Sequence, residues 1–235
     1  QAWIDKHNMP ASVKRDIREM LEMGWEQRPI NSMEVHGKTE QTTKLKNARW
    51  FNEVVTRSIV AAPYAVSALF AEVFMEMKQR FKSVLRSDVF YSDGSTPAEL
   101  AALVRQCGEF KYCTEDDLTQ QDGQTDRQII NIEMEIYKML GLSGNVLAFY
   151  RQCHDNWKWK GHGISGVWDA MRLSGQVTTA LGNAITNLIV HNRFMLRNRN
   201  SIKKVLFLGD DIIFLSNTKL KVANHGTETK ELYNM

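Results

Sequence analysis

The sequence predicts a helix-rich α+β fold in which a small sheet carries an acidic turn at its tip. Two observations lead there. Several long stretches place apolar residues at helical spacing. One short apolar segment, VLFLGDDIIFLS from Val205 to Ser216, reads as two strands with room between them only for a tight turn.

Along the chain, Ala11 to Met23 carries apolar residues at helical spacing, and Pro63 to Leu85 reads as a long amphipathic helix opened by proline. The clearest start signal is STPAELAALVRQC. Thr96 caps, Pro97 suits the first helical position and Glu99 stands three residues after the threonine, so a capping box opens a helix over Ala98 to Cys107. Asp126 to Leu140 is again helical, with Asp126 as its cap, and Thr178 to Leu196 follows a Ser-Gly turn as a further long helix. Strand signals are fewer. Tyr112 to Leu118 is one candidate; Val205 to Leu208 and Ile212 to Leu215 form the hairpin, with Gly209 supplying the backbone freedom its turn needs. No internal repeat, low-complexity stretch or proline-rich linker divides the chain, and its 235 residues can bury a sizeable core as one intertwined unit.

The formal charge of +3 is compatible with a polyanionic partner without requiring one. Three cysteines, Cys107, Cys113 and Cys153, are odd in number and lack CxxC spacing, which argues against a disulfide framework and a zinc knuckle and for reduced, intracellular, structural thiols. The N-terminal stretch QAWIDKHNMPASVKRD has no apolar core of a targeting signal. The most apolar run, AAPYAVSALFAEVFMEM from Ala61, is interrupted by Glu72 and Glu76 and is too short to span a bilayer, so no transmembrane segment is expected. A chain that opens on Gln and stops at LYNM also reads as a segment of a longer polyprotein or multidomain protein.

The chemistry concentrates in three places. Asp210 and Asp211 at the hairpin tip repel one another; they are either a solvated turn, since Asp is a good turn former, or part of a divalent cation site built from hard oxygen ligands. Such a site needs a third carboxylate, and TEDDLTQQDGQTD offers Asp117 at the end of a strand with Asp122 five positions later. Three carboxylates suffice to hold two Mg²⁺ ions, the arrangement that stabilises attacking and leaving oxygens in an in-line phosphoryl displacement. Between these lies LSGQVTTALGNAITNLIV, in which Ser174 and Gly175 form a turn and Thr179 and Asn183, four apart, share one face of the following helix. These are solvent-facing residues at a helix start, or contacts to a nucleotide sugar and a template backbone, where a 2′-hydroxyl is both donor and acceptor.

The ordered set D-x4-D (Asp117, Asp122), SG-x3-T-x3-N (Ser174, Gly175, Thr179, Asn183) and GDD (Gly209 to Asp211) resembles palm motifs A, B and C of the RNA-dependent RNA polymerases of positive-strand RNA viruses. The wording of DLTQQDGQTD, YSDGSTPAEL and LGN is most similar to the alphavirus-like supergroup, in particular its virga-, kita- and nege-like members, and the resemblance runs from about Gly37 onward. It implies a right-hand polymerase fold with fingers and palm, a small antiparallel palm sheet flanked by helices, and no counterpart of motif E or of the thumb. Residues 1–110 would be mostly fingers, 111–135 palm with motif A, 136–172 a fingers insertion, and 173–235 palm with motifs B and C and the start of D.

Carried over by residue, the resemblance makes Asp117 and Asp210 the catalytic metal ligands, with Asp211 secondary, and expects the strands that bear them side by side in one antiparallel sheet. Asp122 would read the ribose together with Ser174, Gly175, Thr179 and Asn183. KTEQTTKLKNARWFNEVVTRSIVAAP resembles the basic finger segment over the incoming triphosphate, which implies phosphate contacts from Arg57, Lys44 and Lys46. HDNWKWKGHG, with Trp157 and Trp159 among Lys158 and Lys160, is either an RNA-stacking segment or a packed finger loop. Lys219, Lys221 and Lys230 are present, but none aligns as the motif D lysine. The implied activity is RNA-templated RNA synthesis with two Mg²⁺, Mn²⁺ being a possible substitute. The implied partners are template and product RNA, ribonucleoside triphosphates and other domains of a replicase polyprotein, and the implied setting is a membrane-associated replication complex in the host cytoplasm. A reverse transcriptase would share the paired aspartates without explaining Ser174, Thr179 and Asn183. An inactive RNA-binding module would be free to lose the carboxylates.

Overall fold

A computed structural model of the chain describes residues 4–5, 10–23, 30–37, 58–118, 121–161 and 163–233. Among the described residues the architecture is mixed α and β, with eight helices and two sheets of four strands each.

Helix α1 (Ala11–Met23) precedes strands β1 (Ser32–Gly37) and β2 (Ser58–Ala61). The long α2 (Tyr64–Val84) follows directly on Pro63 and packs beside α1. Its inward residues Val66, Phe70, Phe74, Met77 and Phe81 recur every three or four positions, which puts them on one stripe that turns to the core. β3 (Val89–Tyr91) leads to α3 (Pro97–Gln106), where the capping box is complete: Thr96 Oγ1 accepts from the Glu99 amide and the Glu99 carboxylate accepts from the Thr96 amide. β4 (Tyr112–Asp117) ends at the predicted aspartate; the short α4 (Gln121–Gln124) carries Asp122. α5 (Arg127–Met139) is capped by Asp126, whose carboxylate accepts from the Ile129 amide at 3.0 Å.

Beyond these lie elements that the sequence reading did not resolve. α6 (Gly144–His154) is followed by β5 (Trp157–Gly161) and β6 (Ile164–Trp168). With β1 and β2 they build a sheet in the order β2-β1-β5-β6, so the molecule has two sheets where one was expected. In WKWKG the strand period of two is present, but Trp157 is buried in the core and Trp159 lies against Gly166 of β6, where a Cβ would stand 2.8 Å from the indole Nε1. The rings are therefore packed, and the charged Lys158 and Lys160 take the open face.

The second sheet holds the candidate site. α7 (Thr179–Asn198) packs on β7 (Ile202–Leu208), which pairs with β8 (Asp211–Ser216); α8 (His225–Tyr233) closes the described chain. The strand order is β3-β7-β8-β4. β7, β8 and β4 are antiparallel neighbours as expected, but β3 joins β7 in parallel, so the sheet is mixed rather than purely antiparallel. β3 and β7 are far apart in the chain and joined through several helices, the long connection that parallel neighbours need. Val205, Phe207, Ile212 and Phe214 are buried and Phe194 of α7 packs edge-on to Phe214, so one face of the sheet is covered by helix.

Candidate active site

Gly209 adopts φ +60, which lets the chain reverse within two residues, so that Leu208 and Asp211 pair directly across the turn. β4 lies along the other edge of β8 in antiparallel register, and its last residue, Asp117, stands opposite Asp211. Directly opposed residues of an antiparallel pair project to the same face. Asp117 and Asp211 therefore share the face away from α7, with Glu115 two residues back and Asp210 in the turn. The Asp211 carboxyl is pushed above the ordinary carboxylate range, by burial first, then by the charges of Asp210, Asp117 and Glu115. The distant segments converge into one acidic cluster of hard oxygen donors.

The turn is held from beneath. Asn187 of α7, fully buried, donates from Nδ2 to the carbonyls of Gly209 at 3.1 Å and Asp210 at 2.7 Å. One amide thus fixes both residues of the turn to the helix. Four residues earlier, hence on the same face of α7, Asn183 donates from Nδ2 to Asp122 Oδ1 at 2.7 Å, while Gln121 Nε2 donates to the Asn183 carbonyl at 3.0 Å. The second pair of predicted residues is therefore in direct contact. Asn183 Oδ1 is buried beside it without a partner.

Ser174 and Gly175 are turned toward β2. The Ser174 hydroxyl accepts from the Val60 amide at 3.0 Å, and the Gly175 amide donates to the Val60 carbonyl at 2.9 Å. A side chain at Gly175 would meet the β2 backbone at 3.0 Å, so the close approach favours glycine. The Thr179 hydroxyl lies within bonding distance of the carbonyls of Leu173 and Gln176, at 2.6 and 2.9 Å, and so closes the turn that leads into α7. These contacts order the segment itself. Arg57, Lys44 and Lys46 lie outside the described residues, although β2 begins at the residue after Arg57.

Beneath this turn sits a buried polar network. Arg172 Nη2 donates to Glu133 Oε2 at 2.5 Å with both side chains essentially inaccessible. Tyr137 donates to the same carboxylate, and Tyr150 lies 3.0 Å from the Thr178 hydroxyl. Burial opposes the Arg172 charge, but Glu133 outweighs it and holds the guanidinium above its usual range. At Gly182 a Cβ would fall 1.9 Å from Arg172 Nη1, so the glycine of LGN makes room for this ion pair.

Sequence reasoning missed Asn187, Glu133 and Arg172, and also Asp116, His191 and His225, which converge on the helix-covered face of the sheet. Asn187 alone left a signal, since it continues the four-residue spacing of Thr179 and Asn183.

An acidic hairpin backed by helices and joined by a third carboxylate from a neighbouring strand gathers hard oxygen donors of the kind that divalent cations take. The family model for RNA-dependent RNA polymerase matches residues 1–235, and the chain belongs to that family. It is 26% identical over 196 residues to the RNA replication polyprotein of apple stem pitting virus (isolate PA66), covering 83% of this chain and 9% of the polyprotein. To the RNA replication polyprotein of potato virus M (strain Russian) it is 28% identical over 185 residues, 78% of this chain and 9% of that one. To replicase polyprotein 1ab of beet yellows virus (isolate Ukraine) it is 23% identical over 228 residues, 94% of this chain and 7% of that one. The resemblance to viral RNA-dependent RNA polymerases of the alphavirus-like supergroup is borne out. The chain spans about a tenth or less of the length of these three relatives. Among the described residues no helix is long and apolar enough to cross a membrane.

Proposed function

We propose that the chain carries the nucleotidyl-transfer centre of a viral RNA-dependent RNA polymerase, copying an RNA template from ribonucleoside triphosphates in genome replication and transcription. The observation that carries the reading is the convergence of Asp117, Asp211 and the turn residue Asp210 at one end of a helix-backed sheet. Their electrostatics fit hard divalent cations: carboxylate oxygens are the donors that Mg²⁺ takes, and the Asp211 carboxyl is raised by its burial and then by the charges of Asp210, Asp117 and Glu115, none of which supplies a counter-ion. When bound there, Mg²⁺, or Mn²⁺ in its place, would offset charge on the transferring phosphoryl group and activate the attacking hydroxyl.

The chain's own residues have separable tasks in this reading. Asp117 and Asp210 hold the ions, with Asp211 as an auxiliary ligand. Asn187 keeps the turn at its angle by binding two successive carbonyls. Asp122 and Asn183 offer acceptor oxygens to a ribose hydroxyl, and Ser174, Gly175 and Thr179 hold the start of α7 against β2 so that those acceptors stay in line. Arg57, with Lys44 and Lys46, neutralises triphosphate charge.

The reading extends to the division into parts: fingers over residues 1–110 and 136–172, palm over 111–135 and 173–235. It also extends to the company the chain keeps. Its relatives are polyproteins, which supports further replicase domains as partners. A membrane-associated complex in the host cytoplasm rests on the family resemblance alone.

The test is primer extension on an RNA template by the full replication protein that contains this chain. Asp210→Asn should lower incorporation by at least about 10²–10³-fold, the scale of losing one group that stabilises transition-state charge, while RNA binding persists. Activity within a few-fold of the parent would remove Asp210 from the ligand set.

A further inference from the structure

Asp116, adjacent in sequence to the candidate catalytic Asp117, projects to the opposite face of β4, toward α7 and α8, because successive strand residues alternate. There it meets two histidines. His191 Nε2 lies 3.1 Å and His225 Nε2 3.2 Å from the same Asp116 oxygen, and the three ligand atoms all lie within 4.8 Å of one another. His191 is fully buried and His225 is 9% exposed.

With both rings neutral, the geometry at His191 leaves one polar contact unmatched. His191 Nδ1 lies 2.9 Å from the Asn187 carbonyl, which can only accept, so the proton belongs on Nδ1 and the lone pair of the neutral ring on Nε2. That lone pair then faces a carboxylate oxygen, which also carries lone pairs. His225 Nε2, 3.2 Å from the same oxygen, is likewise buried without a hydrogen bond that meets normal geometry. A cation placed among the three atoms satisfies all of them at once.

We infer that Asp116, His191 and His225 form a transition-metal site, with Zn²⁺ the best-fitting ion, separate from the carboxylates of the hairpin. Two imidazole nitrogens and one carboxylate are a Zn²⁺ donor set, whereas Mg²⁺ takes oxygen. Tetrahedral coordination at about 2.0–2.1 Å puts ligand atoms about 3.3 Å apart, close to the two spacings seen. The supporting contacts agree: a zinc-bound histidine characteristically donates its other ring nitrogen to a carbonyl, as His191 does. Phe194 and Phe214 pack against the rings, with centroids 4.6 Å from His225 and 5.7 Å from His191. Asp116 opens onto a cleft lined by Thr114, Glu115, Val222 and Gly226, which leaves an entry path for the ion and room for a fourth ligand. The site joins β4, α7 and α8 directly behind Asp117. Its role is to fix the strand that bears a catalytic carboxylate, and it stands whether or not the polymerase reading does.

The test is metal uptake by the purified chain. The protein is stripped with chelator and titrated with Zn²⁺ in competition with a chromophoric chelator, and separately with Co²⁺ followed by its visible absorption, both in millimolar Mg²⁺ so that the hairpin carboxylates are engaged. One equivalent of tightly held Zn²⁺ is expected, with the Co²⁺ spectrum of a four-coordinate site. His225→Ala, at the start of α8, and Asp116→Asn should each weaken it by at least about 100-fold, more than the roughly 10–100-fold cost of losing a ligand's supporting partner. Asp210→Asn should leave it unchanged. Circular dichroism checks that each variant is folded, and of the two ligand variants either one suffices. Failure of the parent to take up Zn²⁺ would overturn the site. So would undiminished uptake by a folded ligand variant, or loss of uptake in Asp210→Asn alone.

Discussion

Two groups of charges lie against α7, one at Gly182 and one at Asn187, and are treated in opposite ways. Around Glu133 the protein supplies its own counter-ion: Arg172 and two tyrosines converge on one carboxylate with no access to solvent. At the hairpin, Asp117, Asp210 and Asp211 are brought together with Glu115, and the Asp211 carboxyl is raised by its burial and then by these neighbouring charges. The first group is finished when the chain folds. The second is finished only by something that binds, and the difference separates a charge kept for structure from charges kept for chemistry.

The largest effect should come from breaking the finished group. Glu133→Gln removes the counter-charge of a buried guanidinium whose Nε and Nη1 already lack partners, and the expected loss is about 3–5 kcal/mol of folding stability. Urea unfolding of the parent and the variant measures it. A loss under about 1 kcal/mol would mean that Arg172 finds another partner and that the contrast between the two groups is not one of self-sufficiency.

The two groups also differed in how far they could be read from sequence. The acidic tip was legible because local signals agree: a short continuous apolar run on each side, a glycine at the turn, and two aspartates that no turn requires. The capping box at Thr96 was legible for the same reason, since cap and partner stand three residues apart. Glu133 and Arg172 are 39 residues apart, and each reads locally as an ordinary surface charge. His191 and Asp116 are 75 apart, so nothing short-range announces their meeting. The sheet of β2, β1, β5 and β6 escaped because its strands are short and largely half-exposed, and because Trp157 and Trp159 among lysines resemble a binding loop as much as a strand. Long-range pairing, not composition, decided each of these.

A smaller effect sharpens the open side of the comparison. Asn183 spends its amide nitrogen on Asp122, and what remains is an amide oxygen and a carboxylate oxygen, both acceptors, facing a hydroxyl donor in the proposed reading. Asn183→Ala should reduce ribonucleotide use more than deoxyribonucleotide use, narrowing their ratio by about 1–3 kcal/mol, the cost of leaving one such group unpaired. Single-nucleotide extension by the full replication protein gives both efficiencies. Equal losses on the two sugars would make Asn183 a support for Asp122 rather than part of the sugar contact.

The smallest effect is one of pH, and it asks whether the hairpin charges are truly uncompensated. A carboxyl raised in the folded state binds its proton more tightly there than in the unfolded chain, so between the two pKa values the native state holds more protons. Stability then falls as pH rises from about 3.9 through the raised value, and the full cost is present above it. Asp211→Asn removes this cost. In metal-free buffer the variant should melt higher than the parent at pH 7, and the gap should close as pH falls below about 4. Mg²⁺ should also close it, by stabilising the parent through binding that the variant has partly lost. Thermal melts over this pH range, with and without Mg²⁺, separate the outcomes. A parent that melts above the variant at pH 7 without metal would show that the protein already neutralises Asp211, and the hairpin would then resemble the Glu133 network instead of opposing it.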